Sequence, residues 1–260
     1  MTTEKPLVNA YDRCAEDYAS GRPSYPADAV GEILRYTRGG RVLEVAAGTG
    51  ALTRLLLARG VDLVATDLSA EMLGLVGADV PLAVAEVAGL PFADARFTSV
   101  VAATAFHWFA TEPAIAELHR VLAPAGRLVL TWNDGDEREP IVREHQRLVG
   151  RWTGTAPTFR SMEWRRALEE SGRFRLLGEH SCTNPTWMTH EVFCARIRST
   201  SFVAALSEER RKAIVADARE LVRSLPEPFA YPYVTRTFAF EVRGSRAPSR
   251  AAGRGACPSR

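Results

Sequence analysis

The spacing of apolar residues changes character at residue 41. Before it, Val30, Ile33 and Leu34 fall on one face at helical spacing, which predicts a helix over about 27–36. The chain reaches that helix through Arg22-Pro23-Ser24-Tyr25-Pro26, where proline ends one helix and starts the next, and Gly39-Gly40 close it. From Arg41 onward, short apolar runs alternate with helical stretches. Val42 to Ala46 is a continuous apolar run apart from Glu44, the pattern of a strand buried on both faces. Ala47-Gly48-Thr49-Gly50 turns the chain into a helix over 51–59, with Leu55-Leu56-Leu57 in its core and Gly60 at its end. Further strands are predicted at 61–66, 81–85, 97–103 and 127–132. A helix capped by Ser69 and running through Met72 and Leu75, and another over 113–122, fill two of the intervals.

After Asn133 the periodicity loosens. It predicts helices near 140–152, 161–171, 189–205 and 207–224, and strands over 174–183 and 233–242. With the five earlier strands this gives an α/β fold: a doubly wound, Rossmann-like, seven-stranded and mostly parallel sheet, with helices on both faces and a helical lid. One domain is expected over residues 1–243. Within it, 1–40 form the lid, 41–134 the ligand-binding half and 135–232 a substrate-binding region; residues 244–260 read as a disordered, arginine-bearing tail.

In open parallel sheets, ligands bind outside the carboxyl ends of the strands where the strand order reverses. Gly48 and Gly50 follow the first strand, lack side chains, and so permit positive φ and close approach to a ligand. The helix that follows favours a negative group at its start; the alternative is a tight strand-to-helix turn with no ligand. Asp67 closes the second strand, about 17 residues after Gly50. An acidic side chain there either accepts from both hydroxyls of a ribose or serves the helix start beside Ser69. Together these features point to a nucleoside. The stretch Ala46 to Thr53 does not match G-x-G-x-x-G, and no phosphate-cradling Gly-Lys-Ser/Thr loop is present.

Val42-Leu43-Glu44-Val45-Ala46-Ala47-Gly48-Thr49-Gly50 resembles the first motif of class I S-adenosylmethionine-dependent methyltransferases. Four segments agree in order and spacing: Ala65 to Leu73, Glu86 to Phe92, Ala105 to Phe109, and Leu118 to Gly126. Tyr18 to Pro26 looks like the first helix of the small-molecule branch (methyltransferase type 11), which includes trans-aconitate methyltransferases. The resemblance covers roughly residues 11–133. It implies S-adenosyl-L-methionine as cofactor, held by Tyr18, Arg22, Glu44, Ala46, Gly48, Thr49, Gly50, Asp67, Leu68, Met72, Glu86, Val87 and Ala103. Arg22 would then pair with the cofactor's carboxylate or the substrate, and Glu86 would accept from the adenine amino group. Alanine at 46 departs from the usual glycine and is tolerable if that residue keeps negative φ. Ala85-Glu86-Val87-Ala88 also departs from the Gly-Asp-Ala-Glu common in this branch.

Methyl transfer is an in-line displacement that needs a base only if the acceptor must lose a proton. His107, after the fourth strand, is the candidate base; the alternative is a structural histidine packed beside Trp108. Tyr25, Phe106, Trp108 and Asn133 are candidates to line the acceptor pocket, or to serve as core and turn residues. Trp152, Phe159, Met162, Trp164, Trp187, Met188 and Phe193 suggest a small, hydrophobic or aromatic acceptor, unless they pack helices. Oxygen is favoured as acceptor atom, with a role in natural-product biosynthesis; a cofactor-binding protein or cyclase of the same fold is the alternative.

Composition narrows the partners. The chain has 260 residues, 46% hydrophobic and 25% charged, with net charge +2, ordinary for a globular domain. That charge, and the lack of an Asn/Asp-Pro-Pro-Tyr/Phe run after the fourth strand, argue against nucleic-acid substrates. Cys14, Cys182, Cys194 and Cys257 form no C-x-x-C pair, so neither metal nor disulfides are expected, and a reducing cytoplasm suits the chain. No apolar run has the length of a membrane span, and a monomer or homodimer is expected.

Overall fold

The structure is a computed structural model that describes residues 15–37, 39–77, 79–153 and 156–243. Its central sheet has seven strands in the order β3-β2-β1-β4-β5-β9-β6. These are β1 (Val42–Val45), β2 (Leu63–Asp67), β3 (Leu82–Val84), β4 (Phe97–Ala103), β5 (Leu122–Gly135), β6 (Phe174–Asn184) and β9 (Tyr233–Val242). Strands β1 to β5 run parallel, and β9 is antiparallel to both β5 and β6. The order reverses between β1 and β4, so the crevice predicted by the topology opens beyond Val45 and Ala103.

Alternation along the strands sends successive side chains to opposite faces. Leu43, Val45, Val100, Ala102, Leu128 and Leu130 pack on one side with Leu118 of helix Glu112–Val121 and Trp164 of helix Glu163–Glu170. Val42, Val101 and Val129 point the other way, onto Val30 and Ile33 of helix Ala27–Thr37 and Leu52 and Leu56 of helix Ala51–Leu57. Burial on both faces is why β1 reads as a nearly unbroken apolar run. A third cluster joins helices Pro140–Thr153, His190–Arg198 and Glu208–Val222 to Phe229, Tyr231 and Tyr233 at the carboxyl edge of the sheet.

Strands β4 and β9 have the predicted bounds. The helix expected over 189–205 is instead two, His190–Arg198 and Ser201–Ala204. At the break, the hydroxyls of Ser199 and Thr200 both donate to the Arg196 carbonyl, at 3.0 and 3.1 Å, competing with helix propagation. A short antiparallel pair, β7 (Trp187–Met188) with β8 (Phe229–Ala230), was not expected. The predicted tail at 244–260, with Cys14 and Cys257, lies outside the described residues.

Candidate active site

The loop after β1 is built around Asp67. One carboxylate oxygen accepts from the Gly48 N–H at 2.8 Å and the other from the Ser69 N–H at 2.9 Å. The cap of helix Ala70–Gly74 is Ser69, whose hydroxyl accepts from the Met72 N–H at 3.0 Å. The Gly50 N–H donates to the Ala47 carbonyl at 3.0 Å. Two loop amides are thus engaged within the protein, and what the loop offers a ligand is space more than an anion cradle. A methyl group on Gly48 would sit 3.5 Å from Met72 Cε and 3.9 Å from Tyr18 Cε1. Tyr18, on helix Ala15–Gly21, therefore roofs the glycine loop. The Arg22 guanidinium lies 4.6 Å from the Tyr18 ring and donates to the Ser199 carbonyl at 3.0 Å.

The neighbouring strand ends complete the crevice. β3 pairs with β2 up to Asp67 and Val84, which sets Glu86, exposed in a turn, beside the Asp67 loop. Leu68 is 44% exposed, an apolar surface left open next to Asp67. Beyond β4 and the half-buried Ala103, Thr104 adopts φ 55° and its hydroxyl shares a hydrogen bond of 2.9 Å with the Tyr25 phenol. Burial holds the Tyr25 phenol well above its ordinary pKa, so it stays neutral. His107 follows in a short helical turn, Phe106–Trp108.

Residues 43–130 match the family described as a methyltransferase domain. An uncharacterised methyltransferase of Mycobacterium bovis is 34% identical over 88% of this chain and 90% of its own length. An uncharacterised methyltransferase-like protein of Schizosaccharomyces pombe is 30% identical over 81% and 84%. The chain belongs to the class I S-adenosylmethionine-dependent methyltransferases. The same fold recurs in a solved candidate type II methyltransferase from Anaeromyxobacter dehalogenans, with TM-score 0.63, 22% identity and coverage of 85% of this chain and 96% of that one.

The residues of this methyltransferase fit S-adenosylmethionine. Glu44 is buried at the end of β1, with one carboxyl oxygen accepting from the Thr53 hydroxyl at 2.7 Å and the other, also buried, without a donor. Burial pushes its pKa up to about 8, with the neighbouring Asp67 charge adding to the shift. The Glu44 oxygen without a partner could be satisfied by a bound group, and a cationic one would draw the neutral carboxyl back towards its ionised form. Thr49 is buried and its carbonyl accepts from Arg54 Nη1 at 2.7 Å; Met72 is buried under the loop. The Val87 side chain packs in the core with Leu43 and Val45, which leaves its backbone as its means of reaching a ligand.

Several expectations are corrected. Ala46 does not keep negative φ: it has φ 52°, the left-handed region where a Cβ is strained and glycine is usual. His107 is a poor base. Its Nδ1 accepts from the Trp132 indole N–H at 3.1 Å, which places the proton of the neutral ring on Nε2. Burial, then the nearby Arg22 charge, lower its pKa to about 3. Phe106 is wholly buried, edge-on to Phe109 and Trp164, and is core, not pocket lining. The Asn133 side chain is engaged at both ends: its amide donates to the Pro23 and Ser24 carbonyls at 3.3 and 3.2 Å, and its oxygen accepts from Thr235 and Asn184. It fastens the lid segment and is not free for a substrate. Trp164, Met188 and Phe193 are buried in the core clusters, while Trp187 is 65% exposed, so together they do not form an apolar pocket. Trp108 is half-buried against the His107 ring.

Asn184, Arg196, His145, Tyr231 and Tyr233 escaped the sequence reading. Asn184 also donates to the Ser24 carbonyl, at 2.8 Å. His145 pairs its Nδ1 with the Tyr231 hydroxyl, and Arg196 donates to the Tyr233 hydroxyl. None of these sits in a recognisable motif; the only local signal was Tyr231-Pro232-Tyr233 at the start of a predicted strand. Among the described residues no group of His, Cys, Asp and Glu can hold a metal ion, and no helix is long and apolar enough to cross a membrane.

Proposed function

We propose that the chain methylates a small-molecule acceptor, bound between the lid helix Ala15–Gly21, the ends of β4 and β5, and helix His190–Arg198. The observation that carries this reading is the Asp67 carboxylate, pinned by the Gly48 and Ser69 amides beneath the Tyr18 roof. A carboxylate held in this way at the end of the second strand suits the hydroxyls of a ribose. The cofactor supplies an already activated methyl group. The chain's residues orient, and exclude water. Gly21 packs so tightly on helix His190–Arg198 that a Cβ there would meet the Arg196 backbone nitrogen at 2.5 Å. Arg198 clamps Asp17 through two bonds of 2.8 and 2.7 Å. Such a fastened roof favours a small acceptor over a polymer. Orientation alone accounts for about 7–11 kcal/mol of a displacement barrier.

Neutral His107 and neutral Tyr25 are weak bases, so the acceptor atom, for which we retain oxygen, is one that is nucleophilic without a strong base. Asp67→Ala, which also removes the Gly48 and Ser69 contacts, should weaken S-adenosylhomocysteine binding about ten-fold or more by calorimetry; unchanged affinity contradicts the ribose assignment. Radiolabelled methyl transfer to an acceptor panel tests the reaction. Tight cofactor binding with no transfer would favour a binding protein or a cyclase.

A further inference from the structure

Arg196 stands on helix His190–Arg198 with its side chain half-buried. Its Nε donates to the Tyr233 hydroxyl at 3.4 Å and one Nη to the Thr200 hydroxyl at 3.2 Å. These take two of the five N–H donors of a guanidinium. Among the described residues, no carboxylate lies within ion-pair distance of it, whereas Arg198, two residues on, is paired with Asp17 and Glu191. The titratable groups near Arg196 include Tyr233, Tyr231, Tyr18 and His145, and a second cation, Arg22, also acts on His145. A half-buried cation is costlier to keep without a counter-charge than an exposed one.

The surroundings add a second observation. His145 is 2% exposed, and its Nε2 has no hydrogen-bond partner, its Nδ1 being engaged by Tyr231. All these groups gather at the carboxyl edge of the sheet: Tyr233 pairs with Gly135 at the end of β5, and Tyr18 also roofs the Gly48 loop. Arg196, within electrostatic reach of Tyr18, therefore stands near the roofed side of the Gly48 loop.

We propose that Arg196, with Tyr233 beside it, binds an anionic group (a carboxylate or phosphate) carried by the methyl acceptor. This rests on the reading of the chain as a small-molecule methyltransferase, and it adds a charged group to the hydrophobic or aromatic acceptor expected from the Trp, Phe and Met residues of the second half. A planar guanidinium with N–H groups that no described residue engages matches the two oxygens of such an anion.

The test uses the full chain loaded with S-adenosylhomocysteine, titrated by calorimetry with benzoate, inorganic phosphate and neutral benzamide. Benzoate or phosphate should bind, with benzamide about ten-fold weaker than benzoate or worse. Arg196→Gln should weaken anion binding about ten-fold or more, and leave S-adenosylhomocysteine affinity within about two-fold. Arg196→Lys keeps the charge but not the fork, and should weaken it several-fold. It also decides the matter if the glutamine variant fails to fold by circular dichroism. Equal binding of benzoate and benzamide to the wild type, or unchanged anion affinity in the folded variants, overturns the proposal. A matching loss of S-adenosylhomocysteine affinity also overturns it, by assigning Arg196 to the cofactor's carboxylate. If the wild type does not bind S-adenosylhomocysteine, the functional reading fails instead, and the same titrations on the unloaded chain still decide Arg196.

Discussion

Replacing Glu44 by glutamine should remove a specific pH dependence of folding stability. The carboxyl is buried, hydrogen-bonded among the described residues to Thr53 alone, and its pKa rises from 4.5 to about 8. Between those values the folded protein keeps a proton that the unfolded chain releases, so stability falls as pH rises, and the loss levels off above about pH 8. The difference amounts to about 2–3 kcal/mol between pH 5 and pH 7, with roughly a further 1 kcal/mol by pH 9. His107 and His145 work in the opposite sense. Their pKa values are depressed by burial, so the stability they contribute is complete above their ordinary pKa and is lost as pH falls below it. A single profile of the wild type mixes the two trends. The difference between wild type and Glu44→Gln isolates the carboxyl, because both proteins share the histidines. Urea denaturation of the unloaded proteins at a series of pH values measures it. The glutamine variant should gain on the wild type steadily from about pH 5 to pH 8 and then run parallel to it. A stability difference that does not change with pH would refute the reasoning, since it would mean that Glu44 titrates alike in both states.

Three other outcomes are expected. Ala46→Gly should leave stability unchanged or raise it by up to about 1 kcal/mol, because relief of the left-handed Cβ outweighs the added freedom of the unfolded chain, whereas Ala46→Val should cost on the order of 1–2 kcal/mol; thermal unfolding distinguishes these, and a clear loss for glycine counts against them. Asn133→Ala should cost about 1–3 kcal/mol and speed amide hydrogen exchange across residues 15–26, since four hydrogen bonds to that side chain go with it; unaltered exchange there would mean that the lid is fastened elsewhere. The His107 imidazole should show no NMR titration between about pH 5 and pH 8, and a midpoint near the ordinary histidine value would restore it as a base.

The cofactor half was legible because its signals are local. Strand and helix alternate with short turns, and each site residue lies within a few positions of a strand's carboxyl end: Gly48 after β1, Asp67 at the end of β2, Glu86 after β3. Roles were less legible than positions. His107 lay where expected, but its chemistry depends on the Trp132 indole, contributed by the next strand, and on burial that no window of sequence reports. Ala46 shows the same limit. Its identity was plain in the sequence, but its φ is set by the path that leads Gly48 to Asp67.

The half of the chain after Asn133 was hard to read for a physical reason. Its groups come together through contacts between distant segments, and each looks ordinary in its own segment. Arg196 sits in a helix that carries two further charged arginines or acids on its surface, Arg198 and Glu191, and spacing alone cannot tell which of them turns inward. Gly21 decides it, because its missing side chain lets the lid helix close onto Ala195 and Arg196. The tryptophans that suggested an apolar pocket went instead to the core or to open surface, since large apolar side chains are drawn to any available burial. A half-buried cation is not placed by default. Its desolvation has to be offset by specific partners, so a half-buried arginine that bonds the Tyr233 and Thr200 hydroxyls is a more specific lead than many aromatic residues are.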